Sequence, residues 1–177
     1  MTGIALQNLV FLDEMGVLLG LMRTYARALP GARAYDCKPF YRGAKVSVMG
    51  AITVSRVLAV MTVNHSMDAA VFETYVSKCL VPQLWHGAVV VMDNLPAHKV
   101  KAIAPLIEAV GAKVLYLSPY SPEFNPIEHW WSQLKAFLRQ FSPTTAKRVD
   151  TLLATAIDLA DPKHFRNWFA HCCYCPS

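Results

Sequence analysis

Val89-Val90-Val91-Met92 is an unbroken apolar run, rich in β-branched residues, that ends in Asp93. A strand of this composition has no polar face to give to water, so it belongs inside a sheet covered on both sides. That requirement points to an α/β chain. A second apolar run, Leu9-Val10-Phe11-Leu12, ends in Asp13-Glu14. Neighbouring strand residues point to opposite faces, so only one of these two acids can look into a given site.

The remaining segments fit the same class. Lys45–Ile52 and Val57–Val63, joined tightly through Ser55-Arg56, read as a β-hairpin. Lys113–Leu117 reads as another buried strand. Ser66-Met67-Asp68 opens a helix carrying Val71, Phe72, Tyr75, Val76, Cys79 and Leu80 at helical spacing, with Pro82 near its end. Ala97–Val110 reads as a helix kinked at Pro105 and closed by Gly111. From Asn125, Ile127, Trp130, Trp131, Leu134, Phe137, Leu138 and Phe141 form one wide apolar face. Thr144–Ala160 and Lys163–Phe169 read as two further helices separated by Asp161-Pro162. Met15-Gly16 allows a turn, after which Val17–Tyr25 is a return strand or a short helix. The proline- and glycine-broken stretch Leu29–Gly43 is a loop.

At 177 residues the chain fits one domain, and 54% hydrophobic against 16% charged residues excludes disorder. The net charge of +5 is concentrated: Arg23, Arg27, Arg33, Lys38, Arg42 and Lys45 face only Asp36 in the same window. This block is either a solvated loop or a polyanion contact. Asp13 and Glu14 interrupt the apolar first 22 residues, and no basic-then-apolar signal precedes them. Together with five cysteines, an odd number, this predicts a soluble, cytoplasmic protein with no membrane span.

Each acid has a local explanation. Asp93 at a strand end can form a turn or cap the next helix. Asn125-Pro126-Ile127-Glu128 has the form of a capping box, with Asn125 as the N-cap and Glu128 at the third helical position. Asp13 can be a strand-end acid and no more. Together, however, Asp13, Asp93 and Glu128 are oxygen donors suited to magnesium or manganese. Two such ions about 4 Å apart support in-line displacement at phosphorus.

Three blocks carry a resemblance: Phe11-Leu12-Asp13-Glu14; Val91-Met92-Asp93-Asn94-Leu95-Pro96-Ala97-His98; and Tyr116-Leu117-Ser118-Pro119-Tyr120-Ser121-Pro122-Glu123-Phe124-Asn125-Pro126-Ile127-Glu128-His129-Trp130-Trp131. They resemble the signature blocks of DDE transposases of the mariner superfamily, in particular its bacterial insertion-sequence members, and the 34 residues between Asp93 and Glu128 match that branch. The resemblance spans about residues 5 to 141. It implies a ribonuclease H-like fold: a five-stranded mixed sheet carrying the first two acids, flanked by helices, one of which carries the third. Extra C-terminal helices follow. The implied division is a catalytic domain over 1–141, with 142–177 as a helical extension packed on it.

The same resemblance implies Asp13, Asp93 and Glu128 as catalytic metal ligands for Mg2+ or Mn2+, two ions. The implied chemistry is cleavage of double-stranded DNA at the element ends and transfer of the 3′-hydroxyl to a target. Glu14 is then the neighbour on the other face, a choice that a bulge would invert. Asn94, His98 and Asn125 are candidate accessory residues that could equally cap or pack. Arg33, Lys38, Arg42, Lys45 and Lys135 are candidate DNA contacts. Trp130 and Trp131 can stack on bases, although their place on the apolar face puts at least one in the core. A homodimer on nucleoid DNA is expected, because two ends must be held together.

Family members carry a helix-turn-helix region ahead of the catalytic domain, whereas Met1 lies about a dozen residues before Asp13. The expectation is therefore a partner polypeptide from another reading frame, or a truncated copy. A non-catalytic DNA-binding remnant and a ribonuclease H-like nuclease are the alternative functions. His164, His171, Cys172, Cys173 and Cys175 lie within 12 residues without a distant ligand pair, and read as packed side chains and thiols rather than a zinc site.

Overall fold

β1, Leu9–Leu18, is the middle strand of a five-stranded sheet with order β3-β2-β1-β4-β5. The computed structural model describes residues 3–23, 25–37, 44–93, 102–119 and 121–174. β2 (Lys45–Ile52) and β3 (Val57–Val63) form the expected hairpin, with β2 antiparallel to β1. β4 (Val89–Met92) runs parallel to β1, and β5 (Lys113–Tyr116) runs parallel to β4. The sheet is mixed, as expected. β5 is its edge and is half-exposed rather than buried, because nothing pairs beyond it among the described residues.

Strand alternation divides the core into two layers. Phe11, Met15, Val17, Val46, Val48, Ile52 and Val91 face one side. There they pack against α3 (Ile127–Phe141), α4 (Ala146–Asp158) and α5 (Pro162–His171), through Trp130, Trp131, Leu134, Val149, Leu153, Phe165 and Phe169. Val10, Leu12, Met49, Ala51, Val90 and Met92 face the other side. That layer is closed by α1 (Ala69–Tyr75) and α2 (Ile103–Glu108), through Phe72, Tyr75, Ile103 and Ile107.

α1 starts as read: Asp68 accepts from the Val71 N–H at 2.9 Å and caps it. The helical spacing then continues through a wider π turn, Val76–Leu80, which keeps Val76 and Leu80 buried. The expected helix over Ala97–Val110 is described only over Ile103–Glu108, and Gly111 ends it with a left-handed φ of 75°.

β1 corrects the reading of its second half. Met15-Gly16 makes no turn, and the strand runs unbulged to Leu18, paired residue for residue with β2. Gly16 sits exposed within the strand, with the end of the flexible Lys45 side chain lying over it. The chain then leaves the sheet, and the described residues 19–23 and 25–37 form an irregular excursion. Its base is closed by the Leu19 N–H on Ala44 O (2.9 Å) and tied to the α3–α4 turn by the Gly20 N–H on Pro143 O (2.8 Å).

Candidate active site

The parallel pairing of β1 and β4 aligns the first two acids. Phe11 pairs with Val91, and each strand reaches its aspartate two residues later. Two residues restore the face, so Asp13 and Asp93 share the α3 side with Phe11 and Val91. Because β1 has no bulge, Glu14 takes the opposite face.

Asp13 is 8% exposed and is held by three donors. The Glu14 N–H donates to Oδ1 at 2.7 Å. The Trp131 indole Nε1–H donates to Oδ2 at 3.2 Å, and Asn125 Nδ2 donates to the same oxygen at 3.4 Å. Burial nevertheless pushes the Asp13 carboxyl up to about 7, and the nearby Glu128 and Asp93 carboxylates push it the same way against the pull of Glu14 and Trp131. Glu128 and Asp93 therefore both lie close enough to act on Asp13 through space.

Glu128 sits exposed in the first turn of α3. The capping box expected there does not form. Asn125 has extended backbone and its carbonyl accepts the Glu128 N–H at 3.1 Å, but its own N–H donates to Pro122 O at 2.9 Å and its amide is spent on Asp13. α3 begins with no side-chain cap. A buried carboxylate needs donors more than an accessible helix end does.

Trp131 and Gly50 carry functions that sequence reasoning did not assign. Trp130 and Trp131 are 2% and 1% exposed and stack on each other at 4.5 Å, so neither offers a face to a base. Gly50 is the β2 residue paired with Asp13. A Cβ there would lie 2.7 Å from both indoles. An isolated glycine inside a β-branched strand is the signal that marks such close approach.

The other candidates are dispersed. Asn94, His98, Lys38 and Arg42 lie outside the described residues. Arg33 is exposed in the excursion after β1, and Lys45 is exposed at the start of β2, opposite Leu18. Lys135 is half-buried on α3, two turns after Glu128 and so on the same side of the helix. His171 packs edge-to-face on His129 at 4.7 Å, and His129 is lowered from its ordinary pKa, first by burial and then by His171. Cys172 is buried and Cys173 exposed, while Cys175 lies outside the described residues. A cavity of about 550 Å3 lies between β5 and the end of α5, lined in part by Leu6, Tyr116, Phe124 and Tyr174, and none of the three acids lines it.

Among the described residues, no group of three His, Cys, Asp or Glu side chains is placed to hold a metal ion, Asp13, Asp93 and Glu128 included. An open set of carboxylates still fits magnesium or manganese, which retain waters and complete their shell with substrate phosphate oxygens. Two features of the site agree with that choice of donors: the repulsion that Glu128 and Asp93 exert on Asp13, and Asn125 Oδ1, which is buried without a protein partner.

A mixed five-stranded sheet with helices on both faces, one acid midway along its central strand β1 and another directly after the parallel β4, is a ribonuclease H-like fold. Residues 8–152 match the family model of the DDE superfamily endonucleases, and the chain belongs to that family. No curated protein matches it. Among solved structures, the pre-cleavage Mos1 transpososome is similar at a TM-score of 0.76 and 18% identity, over 93% of this chain and 52% of that one. The Mos1 mariner paired-end complex with Mg gives 0.74 and 18%, again over 93% and 52%. The isolated catalytic domain of Mos1 mariner transposase gives 0.63 and 16%, over 93% and 76%. The chain thus spans about half the length of the transposase chains in those complexes. Among the described residues, no helix is long and apolar enough to cross a membrane.

Proposed function

We propose that the chain is the catalytic domain of a transposase that cleaves double-stranded DNA at element ends and transfers the strand to a target, with Asp13, Asp93 and Glu128 as ligands of two divalent ions. The observation that carries this reading is the Asp13 carboxylate. It is buried, fixed by Trp131 and Asn125, and repelled by two further acids brought from β4 and α3. Structural likeness to transposases whose complexes contain Mg or Mn supports the choice of metal.

Bound there, Mg2+ or Mn2+ would activate an attacking water or 3′-hydroxyl and steady the leaving oxygen. The protein's part is positioning. β1 and β4 fix two carboxylates on one face, and the packed α3 presents Glu128 from its first turn. Arg33, Lys38, Arg42, Lys45 and Lys135 are assigned to the DNA backbone, a role that makes binding salt-dependent. Asn94 and His98, which follow Asp93, are assigned accessory roles beside it.

The same reading includes residues 1–141 as the catalytic unit with 142–177 as its extension, and homodimeric assembly on two DNA ends in a bacterial insertion sequence. End recognition would come from a helix-turn-helix region on this or another polypeptide. The experiment is nicking of supercoiled plasmid with Mg2+ or Mn2+ by wild type and Asp93→Ala. Metal-dependent nicking by wild type alone is expected, and equal cutting by both proteins overturns the reading. Salt-sensitive duplex binding by wild type without cleavage indicates a non-catalytic remnant, and preferential cutting of an RNA–DNA hybrid indicates a nuclease instead.

A further inference from the structure

Asn125 is 4% exposed and ends the loop that leads into α3. Its amide is divided between two fates: Nδ2 donates to Asp13 Oδ2, while Oδ1, on the same planar group, is buried with no protein donor. Buried acceptors of this kind are rare, because an unmet one costs desolvation without return. The local alternative, capping α3, is not taken. The orientation of the amide is set by its neighbour, since only Nδ2 can face a carboxylate oxygen favourably.

The Asp13 carboxylate is equally constrained. It has about four acceptor positions. Oδ2 receives the Trp131 indole and Asn125, and Oδ1 receives the Glu14 N–H. The remaining lone pair is on Oδ1, so the two side-chain donors decide which oxygen is left for a cation.

We propose that Asn125 is a positioning residue for the metal site: Nδ2 locks Asp13 Oδ2 beside Trp131 so that Oδ1 is the oxygen left for a cation. This rests on the metal-site reading above. It differs from a packing role in one respect: its loss weakens metal binding in protein that remains folded. Partners that orient a metal ligand are worth about 10- to 100-fold in affinity.

The test is direct titration with Mn2+, read as the free-ion EPR signal, for wild type, Asp93→Ala, Asn125→Leu and Asn125→Ser. Folding of each metal-free protein is checked by near-UV circular dichroism. Asn125→Leu keeps the volume and removes both polar atoms, and is expected to bind Mn2+ at least about tenfold more weakly. Asn125→Ser, which retains a hydroxyl, is expected to lie between it and wild type, and it decides the matter if the leucine variant does not fold. Wild-type affinity in the folded Asn125 variants, with binding lost in Asp93→Ala, overturns the proposal and leaves the metal site standing. Wild-type affinity in Asp93→Ala overturns the metal-site reading and this proposal with it.

Discussion

Gly50 lies directly across the β1–β2 ladder from Asp13, and the space left by its missing side chain is occupied by the indole that holds the Asp13 carboxylate. A glycine in one strand thereby determines how an acid in the next is presented. Trp131 could not reach Oδ2 if β2 carried a side chain at this point, because a Cβ would stand 2.7 Å from both stacked tryptophans. Packing and chemistry are coupled at this one residue pair.

Gly50→Ala tests the coupling. The rings it meets are buried ends of rigid side chains, so the methyl group forces α3 away from the sheet. The expected loss is about 1–3 kcal/mol of stability, with a change in the near-UV tryptophan signal. Urea denaturation with an unaltered midpoint would show that the interface yields without strain.

Trp131→Phe separates the hydrogen bond from the bulk. The phenyl ring keeps much of the apolar contact but returns no N–H to Asp13. Nicking activity is expected to fall about tenfold or more, whereas Trp130→Phe, at equal depth, changes stability more than activity. Equal activity losses in the two variants would assign Trp131 to packing alone.

Much of this arrangement was legible in the sequence, for reasons that can be named. Val89-Val90-Val91-Met92 could only be an interior strand, and the β2–β3 hairpin follows from its β-branched runs and short link. The likeness of the third block located Glu128 on a helix. What local rules missed was decided by tertiary contacts. Capping statistics assign Asn125 to its own helix, a contribution of about 1 kcal/mol, yet the amide serves a carboxylate 112 residues away in sequence. Met15-Gly16 has turn composition, but pairing with Val48 and Ser47 of β2 keeps both residues in the strand. The pair Trp130-Trp131 invited a base-stacking role, and only the position of β2 shows both rings to be core.

The pH dependence of stability in metal-free protein follows from Asp13. Its carboxyl is raised from 3.8 to about 7 in the fold, so protonation favours the folded state. That contribution is complete below pH 3.8 and is lost as pH rises through about 7. Between pH 5 and pH 8, wild type in chelator should therefore lose a few kcal/mol relative to Asp13→Asn, which has no such proton to release. Paired denaturation curves at the two pH values measure it, and parallel behaviour of the two proteins would refute it. Added Mn2+ is expected to restore wild type at pH 8 and to leave Asp13→Asn nearly unchanged.

The C-terminal helices are part of the structure that holds the site. Phe169 of α5 meets Phe11 edge-on at 5.2 Å, two residues before Asp13 on the central strand. Tyr174 packs on Phe11 at 5.0 Å and donates its hydroxyl to Phe124 O at 2.8 Å, in the turn immediately before Asn125. α5 and the segment that follows it therefore brace both the strand that carries Asp13 and the loop that delivers Asn125. Phe169→Ala empties a fully buried position and should cost about 3–5 kcal/mol, a large part of the stability of a domain this size. Tyr174→Phe removes one hydrogen bond and should cost about 1 kcal/mol, with its effect concentrated on the loop: faster amide exchange at Phe124 and Asn125 than at Phe11. If Tyr174→Phe leaves exchange at those two amides unchanged, the brace is confined to β1, and α5 supports the sheet without supporting the site.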